Sequence, residues 1–115
     1  WRSRGDTLQA VKDHAYDDVL AHPGEADLSA HVDFEALSRA AATTAVSELT
    51  PQGVLLERLG IVARTQALAS NLSGQVLSTH LAAHHRLTDA GEMGTLFKAI
   101  ALHPLGSAVP PGFSP

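Results

Sequence analysis

Met93-Gly94-Thr95-Leu96-Phe97-Lys98-Ala99-Ile100-Ala101-Leu102-His103 decides the fold class of this chain. Two-residue alternation puts Phe97, Ala99 and Ala101 on one face and Leu96, Ile100 and Leu102 on the other, with only Lys98 interrupting. The pattern predicts a strand over 93–103 that is apolar on both faces and so needs cover on both sides. The segments before it read as helices, so the expectation is an α/β fold in which this is the last strand.

Ala45-Val46-Ser47-Glu48-Leu49 alternates in the same way and predicts a second strand. Between the two lie helical patterns. Thr50 reads as a cap with Pro51 at the first helical position, Leu55, Leu56 and Leu59 as an apolar stripe, and Gly60 as the stop. A short helix is expected over 62–70. A longer one, capped by Ser73, carries Val76, Leu77, His80, Leu81, His84 and Leu87 and ends at Asp89-Ala90-Gly91. Upstream, Asp33 reads as the cap of a helix that fades near Thr43-Thr44, with Val32 and Leu37 at the positions of a hydrophobic staple. Residues 1–23 read as an extended, loop-like lead-in, in which Thr7–Val11 alternates weakly. The Pro/Gly-rich tail from Pro104 to residue 115 reads as irregular.

The 115 residues suffice for one domain. Hydrophobic residues make up 44%, but many are alanine and aromatics are only 4%, so the apolar side chains available to a core are small. The net charge of −4, with Arg2 and Arg4 as the one basic cluster, argues against a nucleic-acid partner. There is no cysteine, which excludes disulfides and thiolate metal sites, and no apolar run long enough to span a bilayer. The start at Trp1, without a leader or an initiating Met, suggests a fragment or a processed product.

Gly24-Glu25-Ala26-Asp27-Leu28-Ser29-Ala30-His31-Val32-Asp33-Phe34 is the candidate pocket-lining loop. Asp33 has a capping duty there; Asp27 and His31 have no obvious structural one. Ser29, His31 and Asp33 do not make a hydrolytic triad, because at two-residue spacing in an extended segment they point the same way. His80 and His84 have a spacing that can hold a metal on a helix, but no third ligand stands at a recognisable distance, so no metal site is expected. Gly91-Glu92-Met93-Gly94 lacks the lysine and the strand-to-helix context of a phosphate loop.

Four blocks, in order, carry a resemblance: Gly5–Val11, Pro23–Phe34, Gln52–Ile61 and Met93–Lys98. Together they resemble the C-terminal third of the MidA-like methyltransferases, a family that includes the mitochondrial methyltransferase assisting assembly of respiratory complex I. The resemblance covers about residues 5–103. It implies a Rossmann-like class I methyltransferase, with 45–49 and 94–103 as its last antiparallel strand pair and the helices of 61–92 as an insertion between them. It also implies S-adenosylmethionine as cofactor, bound by an N-terminal glycine-rich turn outside this chain, and a protein arginine, on a complex I subunit, as methyl acceptor.

The implied substrate pocket brings in Asp27, His31 and Asp33, and more weakly Gln52, with no cofactor-binding residue in this chain. The chain departs from the family at Thr43-Thr44, where a glycine is usual, and at Leu49-Thr50, in place of a Gly-Pro-like turn. Without the preceding strand of the sheet, one edge of the last strand lacks a partner, so self-association is expected. The implied compartment is the bacterial cytoplasm, with the mitochondrial matrix as the alternative. The competing reading is a non-catalytic remnant or interaction module.

Overall fold

The computed structural model describes residues 7–115. Arg2, Arg4 and the Gly5-Asp6 start of the first family-like block lie outside the described residues. The chain forms two compact units, Trp1–Leu37 and Ser38–Pro115.

The first unit is a small antiparallel sheet. Strand β1 (Gln9–Lys12) is joined to β2 (Ala15–Asp17) by a two-residue turn, and β3 (Asp27–Ser29) pairs on the other side of β1, giving the order β2-β1-β3. The turn residues Asp13 and His14 have φ of 51° and 65°. Positive φ at both central positions is the geometry whose twist matches a hairpin, and Asp and His tolerate it better than branched residues do. Residues 1–23 therefore contain a hairpin that weak alternation did not reveal. The expected loop over 24–34 likewise contains a strand: Asp27 opposes Val11 and Ser29 opposes Gln9. All three β3 residues are exposed, so burial imposes no hydrophobic alternation on them. Ala10 at 1% exposure is the buried apolar side chain of the central strand.

Helix α1 (Phe34–Ala40) follows. Asp33 caps it as expected, its Oδ1 accepting the Ala36 N–H at 2.9 Å.

The second unit contains the expected antiparallel strand pair, but broken. Strands β4 (Ala45–Val46) and β5 (Thr50–Pro51) lie along one side, β6 (Lys98–Ala99) and β7 (Leu102–His103) along the other. Val46 opposes Leu102 and Thr50 opposes Ala99. Three residues (47–49) thus face two (100–101), which is a β-bulge. Ser47 holds it: its N–H donates to the Ala101 carbonyl at 2.9 Å, and its Oγ accepts the Ala101 N–H at 2.9 Å. A side-chain oxygen standing in for a ladder carbonyl ends the expected 45–49 strand at Val46.

The predicted continuous strand 93–103 is corrected in its first half. Met93–Leu96 is a helical turn, α5, and extended backbone begins at Phe97. The Gly94 N–H donates to the Asp89 carbonyl at 3.0 Å and Thr95 Oγ1 to the Ala90 carbonyl at 2.7 Å, which winds the segment before the ladder can claim it. The cap of the next helix, α2 (Gln52–Arg58), also shifts: Pro51 occupies the N-cap position. Thr50 is a strand residue whose hydroxyl donates to the Glu48 carbonyl, because the ladder continues to the Gln52 N–H, which donates to the Phe97 carbonyl at 2.9 Å.

Helix α3 (Ile61–Ala69) starts directly after Gly60, whose φ of 88° ends α2. Helix α4 (Gly74–Thr88) has Ser73 at its N-cap position, but the hydroxyl makes no capping bond. The tail is irregular yet attached, since the Glu48 N–H donates to the Ser114 carbonyl at 3.0 Å and Arg58 Nη1 to the Gly112 carbonyl at 3.1 Å.

Two glycines set the helix packing. A Cβ on Gly53 would overlap the Thr88 carbonyl oxygen and stand 3.3 Å from the Gly94 Cα; a Cβ on Gly94 would overlap the same carbonyl. α2 and α5 therefore meet the end of α4 through bare backbone.

Candidate functional site

The chemistry-bearing residues of the first unit sit on a ribbon whose shape its backbone ladders determine. Asp27 opens β3, and its carboxylate has no hydrogen-bonding or ionic partner among the described residues. His31 lies just beyond β3 with its ring exposed; its N–H donates to Thr7 Oγ1 at 3.3 Å. Asp33 spends one carboxylate oxygen on the α1 cap. The three share one exposed stretch, but only Asp27 lies within the strand. Gln52 lies in the other unit, where its Nε2 donates to the Leu87 carbonyl at 2.9 Å, a bond that ties α2 to the end of α4.

Other charges of the ribbon are already paired. Lys12 Nζ bonds Glu25 Oε2 at 2.5 Å, and His22 Nδ1–H donates to Asp17 Oδ2 at 2.7 Å. The His22 hydrogen bond, helped by the Asp18 N–H, holds the Asp17 carboxyl below its ordinary value.

Residues 7–37 hold seven acids (Asp13, Asp17, Asp18, Glu25, Asp27, Asp33, Glu35) and one base, Lys12, for a formal charge of −6 with histidines neutral. Residues 38–115 hold four acids (Glu48, Glu57, Asp89, Glu92) and five bases, for +1. The whole-chain value of −4 conceals this asymmetry, which counting by segment would have exposed. An excess of this sign suits a cationic ligand.

In the second unit, two cavities of about 430 and 540 Å³ flank α4. The first has leucines on its walls, from Leu56 to Leu87, and two histidines facing α3. His80 Nε2–H donates to the Thr65 carbonyl at 3.1 Å, and His84 Nδ1 lies 2.9 Å from Thr65 Oγ1. Both rings are committed to holding α3 against α4, and among the described residues no cluster of histidines and acids has the makings of a metal site.

A strand-to-helix turn with a glycine is the usual cradle for a nucleotide-like cofactor. Here that junction is β5 to α2, and the space beside Gly53 is filled by Thr88 and Gly94. That junction leaves no room beside Gly53 for a nucleotide-like group. No described helix is long and apolar enough to cross a membrane.

Comparison with known proteins gives consistent matches. A family model described as "Putative S-adenosyl-L-methionine-dependent methyltransferase" matches residues 2–53. The chain is similar to the mitochondrial protein arginine methyltransferase NDUFAF7 homolog of Drosophila melanogaster, at 34% identity over 86% of this chain and 23% of that protein. It is 35% identical to protein arginine methyltransferase NDUFAF7, mitochondrial, of Xenopus tropicalis, over 96% of this chain and 27% of the relative. The human protein of the same name is 35% identical over 89% of this chain and 24% of its own length. The chain thus spans roughly a quarter of the length of these curated relatives.

Proposed function

The chain belongs to this family of S-adenosyl-L-methionine-dependent methyltransferases, and on that premise we propose that the protein methylates arginine side chains of a protein substrate, with residues 27–33 forming one wall of the acceptor pocket. The observation that carries the reading is the Asp27 carboxylate, which has no partner among the described residues, within residues 7–37 of formal charge −6. A guanidinium is planar and always charged at neutral pH, and a carboxylate can take two of its N–H groups at once. Asp27 would orient the acceptor in this way. His31 would accept the proton that the guanidinium must lose as it is alkylated, and Asp33 would add negative charge from the end of α1. Gln52 remains the weaker candidate, since its Nε2 is bound to the Leu87 carbonyl. The methyl group comes from S-adenosylmethionine, the family's cofactor, through residues outside this chain.

The names of the relatives carry the word mitochondrial, which supports the mitochondrial matrix over the bacterial cytoplasm as the compartment. A complex I subunit as acceptor and a Rossmann-like sheet completed by residues outside this chain belong to the same proposal. The outer edge of β6 and β7 has no strand partner among the described residues, and Leu96 and Leu105 near it are 67% and 68% exposed. That edge is open to another strand. The 115-residue chain should therefore sediment as a concentration-dependent oligomer; a monomer throughout would remove self-association from the proposal.

Asp27→Asn in the full-length protein tests the pocket, with cofactor binding and methyl transfer measured separately. Loss of one charge-assisted contact should lower transfer by about 10- to 100-fold and leave cofactor affinity unchanged. Unchanged transfer takes Asp27 out of the site.

A further inference from the structure

β3 is an edge strand, and the hairpin geometry specifies which of its backbone groups face outward. A two-residue turn closes on Lys12 and Ala15 as a hydrogen-bonded pair. Pairing alternates along an antiparallel ladder, so Ala10 also bonds to Asp17 across β2, and Gln9 and Val11 turn their groups toward β3. Asp27 and Ser29 therefore point inward, and Leu28 presents its N–H and C=O to the outer edge. Among the described residues neither group has a partner, and Leu28 is 61% exposed. The Asp27 side chain lies beside this edge, on the same face as Val11 across the ladder.

We infer that this edge binds a short, extended, basic segment of the protein substrate by strand addition. The proposal rests on the arginine methyltransferase reading and deepens it by naming how the acceptor's flanking chain is held. Leu28 exchanges its N–H and C=O with one residue of the segment. The next residue of the segment falls across from Asp27, at the roughly 5 Å Cβ separation of cross-strand neighbours. The acceptor arginine there meets the Asp27 carboxylate, which has no partner among the described residues. Backbone bonds supply register and the formal charge of −6 over residues 7–37 supplies the preference for a cationic segment. The strand is only three residues long and so holds one such pair of bonds, which suits a substrate that must leave after each turnover.

The probe is a nine-residue peptide of alternating valine and arginine, titrated into the full-length protein. We expect saturable binding with slowed amide exchange at Leu28, a three- to tenfold weakening in Asp27→Asn, and at least tenfold weakening when alternate peptide nitrogens are methylated. Leu28→Pro removes the outward N–H without touching the ladder to β1 and should abolish binding. The N-methylated peptide on the unaltered protein makes the same test without depending on how that variant folds. Equal binding of the methylated and plain peptides, or protection away from β3, overturns the proposal. Methyl transfer to the peptide's arginines is scored separately. Transfer that is indifferent to peptide N-methylation leaves the activity standing and strand addition refuted. Binding at β3 with no methyl transfer to the peptide's arginines does the reverse.

Discussion

The ribbon of residues 9–29 and the helices of residues 52–96 use polar atoms in opposite ways. In the helical unit nearly every notable polar side chain is spent on internal geometry. Gln52 binds the Leu87 carbonyl, His80 and His84 both bind Thr65, and Ser47 holds the bulge. Thr65 and Ser47, at 8% and 6% exposure, are buried, which makes their hydrogen bonds necessary. In the ribbon the backbone ladders do the structural work, and Asp27 and His31 are left with no internal duty for their side chains. Residue types therefore mislead. The histidine pair at ligand spacing belongs to packing, while an aspartate on a short exposed strand is left without a partner among the described residues.

The largest effect expected from this contrast is at Gly94. Adding a methyl group forces a Cβ into the Thr88 carbonyl oxygen, with Asp89 backbone behind it. The obstacle is backbone, which cannot rotate away as a side chain can. Gly94→Ala should cost about 3 kcal/mol, at the upper end of overpacking penalties. Urea unfolding followed by helix signal would read it as a lower midpoint. Amide shifts of residues 9–17 should persist in the same variant, because the hairpin is closed by its own turn. Loss of the hairpin together with the helices would break the comparison. An unchanged midpoint would mean that α5 can move away from α4 and that the glycine contact does not control the packing.

The sequence made the helices legible and left the ribbon obscure, for physical reasons. Helices α2, α3 and α4 announce themselves through apolar spacing, Pro51 and Gly60, because an amphipathic face must repeat every three to four residues. β2 and β3 carry no such repeat, since both faces of β3 meet solvent and burial asks nothing of its side chains. The hairpin turn uses Asp13-His14 rather than a glycine pair, so the strongest local signal for it is missing. The 93–103 alternation was genuine from Phe97 onward, but its first residues answered to carbonyls at Asp89 and Ala90 that no local pattern displays. The Asp33 cap was readable because a cap is a local event; the Gln52 hydrogen bond was not, because its partner at Leu87 is 35 residues away. The acidity of residues 7–37 was in plain view but diluted by the near-neutral remainder.

The smallest effect, and the one that best sharpens the contrast, is the acid response of the ribbon. Asp17 accepts the His22 Nδ1–H at 2.7 Å and the Asp18 N–H at 2.9 Å, and these bonds hold its carboxyl below the ordinary value of 3.8. A carboxyl depressed in the folded state contributes stability that is fully present above its unfolded value and is lost as pH falls through the folded one. The ribbon should therefore loosen only below about pH 4, first at the Ala10–Asp17 pair that flanks the buried Ala10. Amide shifts of Ala10 and Asp17, followed from pH 6 down to pH 2, would report it. Asp17→Asn keeps a hydrogen-bond acceptor and removes the titration, so its shifts should stay flat over the same range. An identical acid transition in that variant would assign the response to another carboxylate. Because the Gly53 and Gly94 contacts are with backbone atoms, the α2–α5 packing should not follow the Asp17 titration.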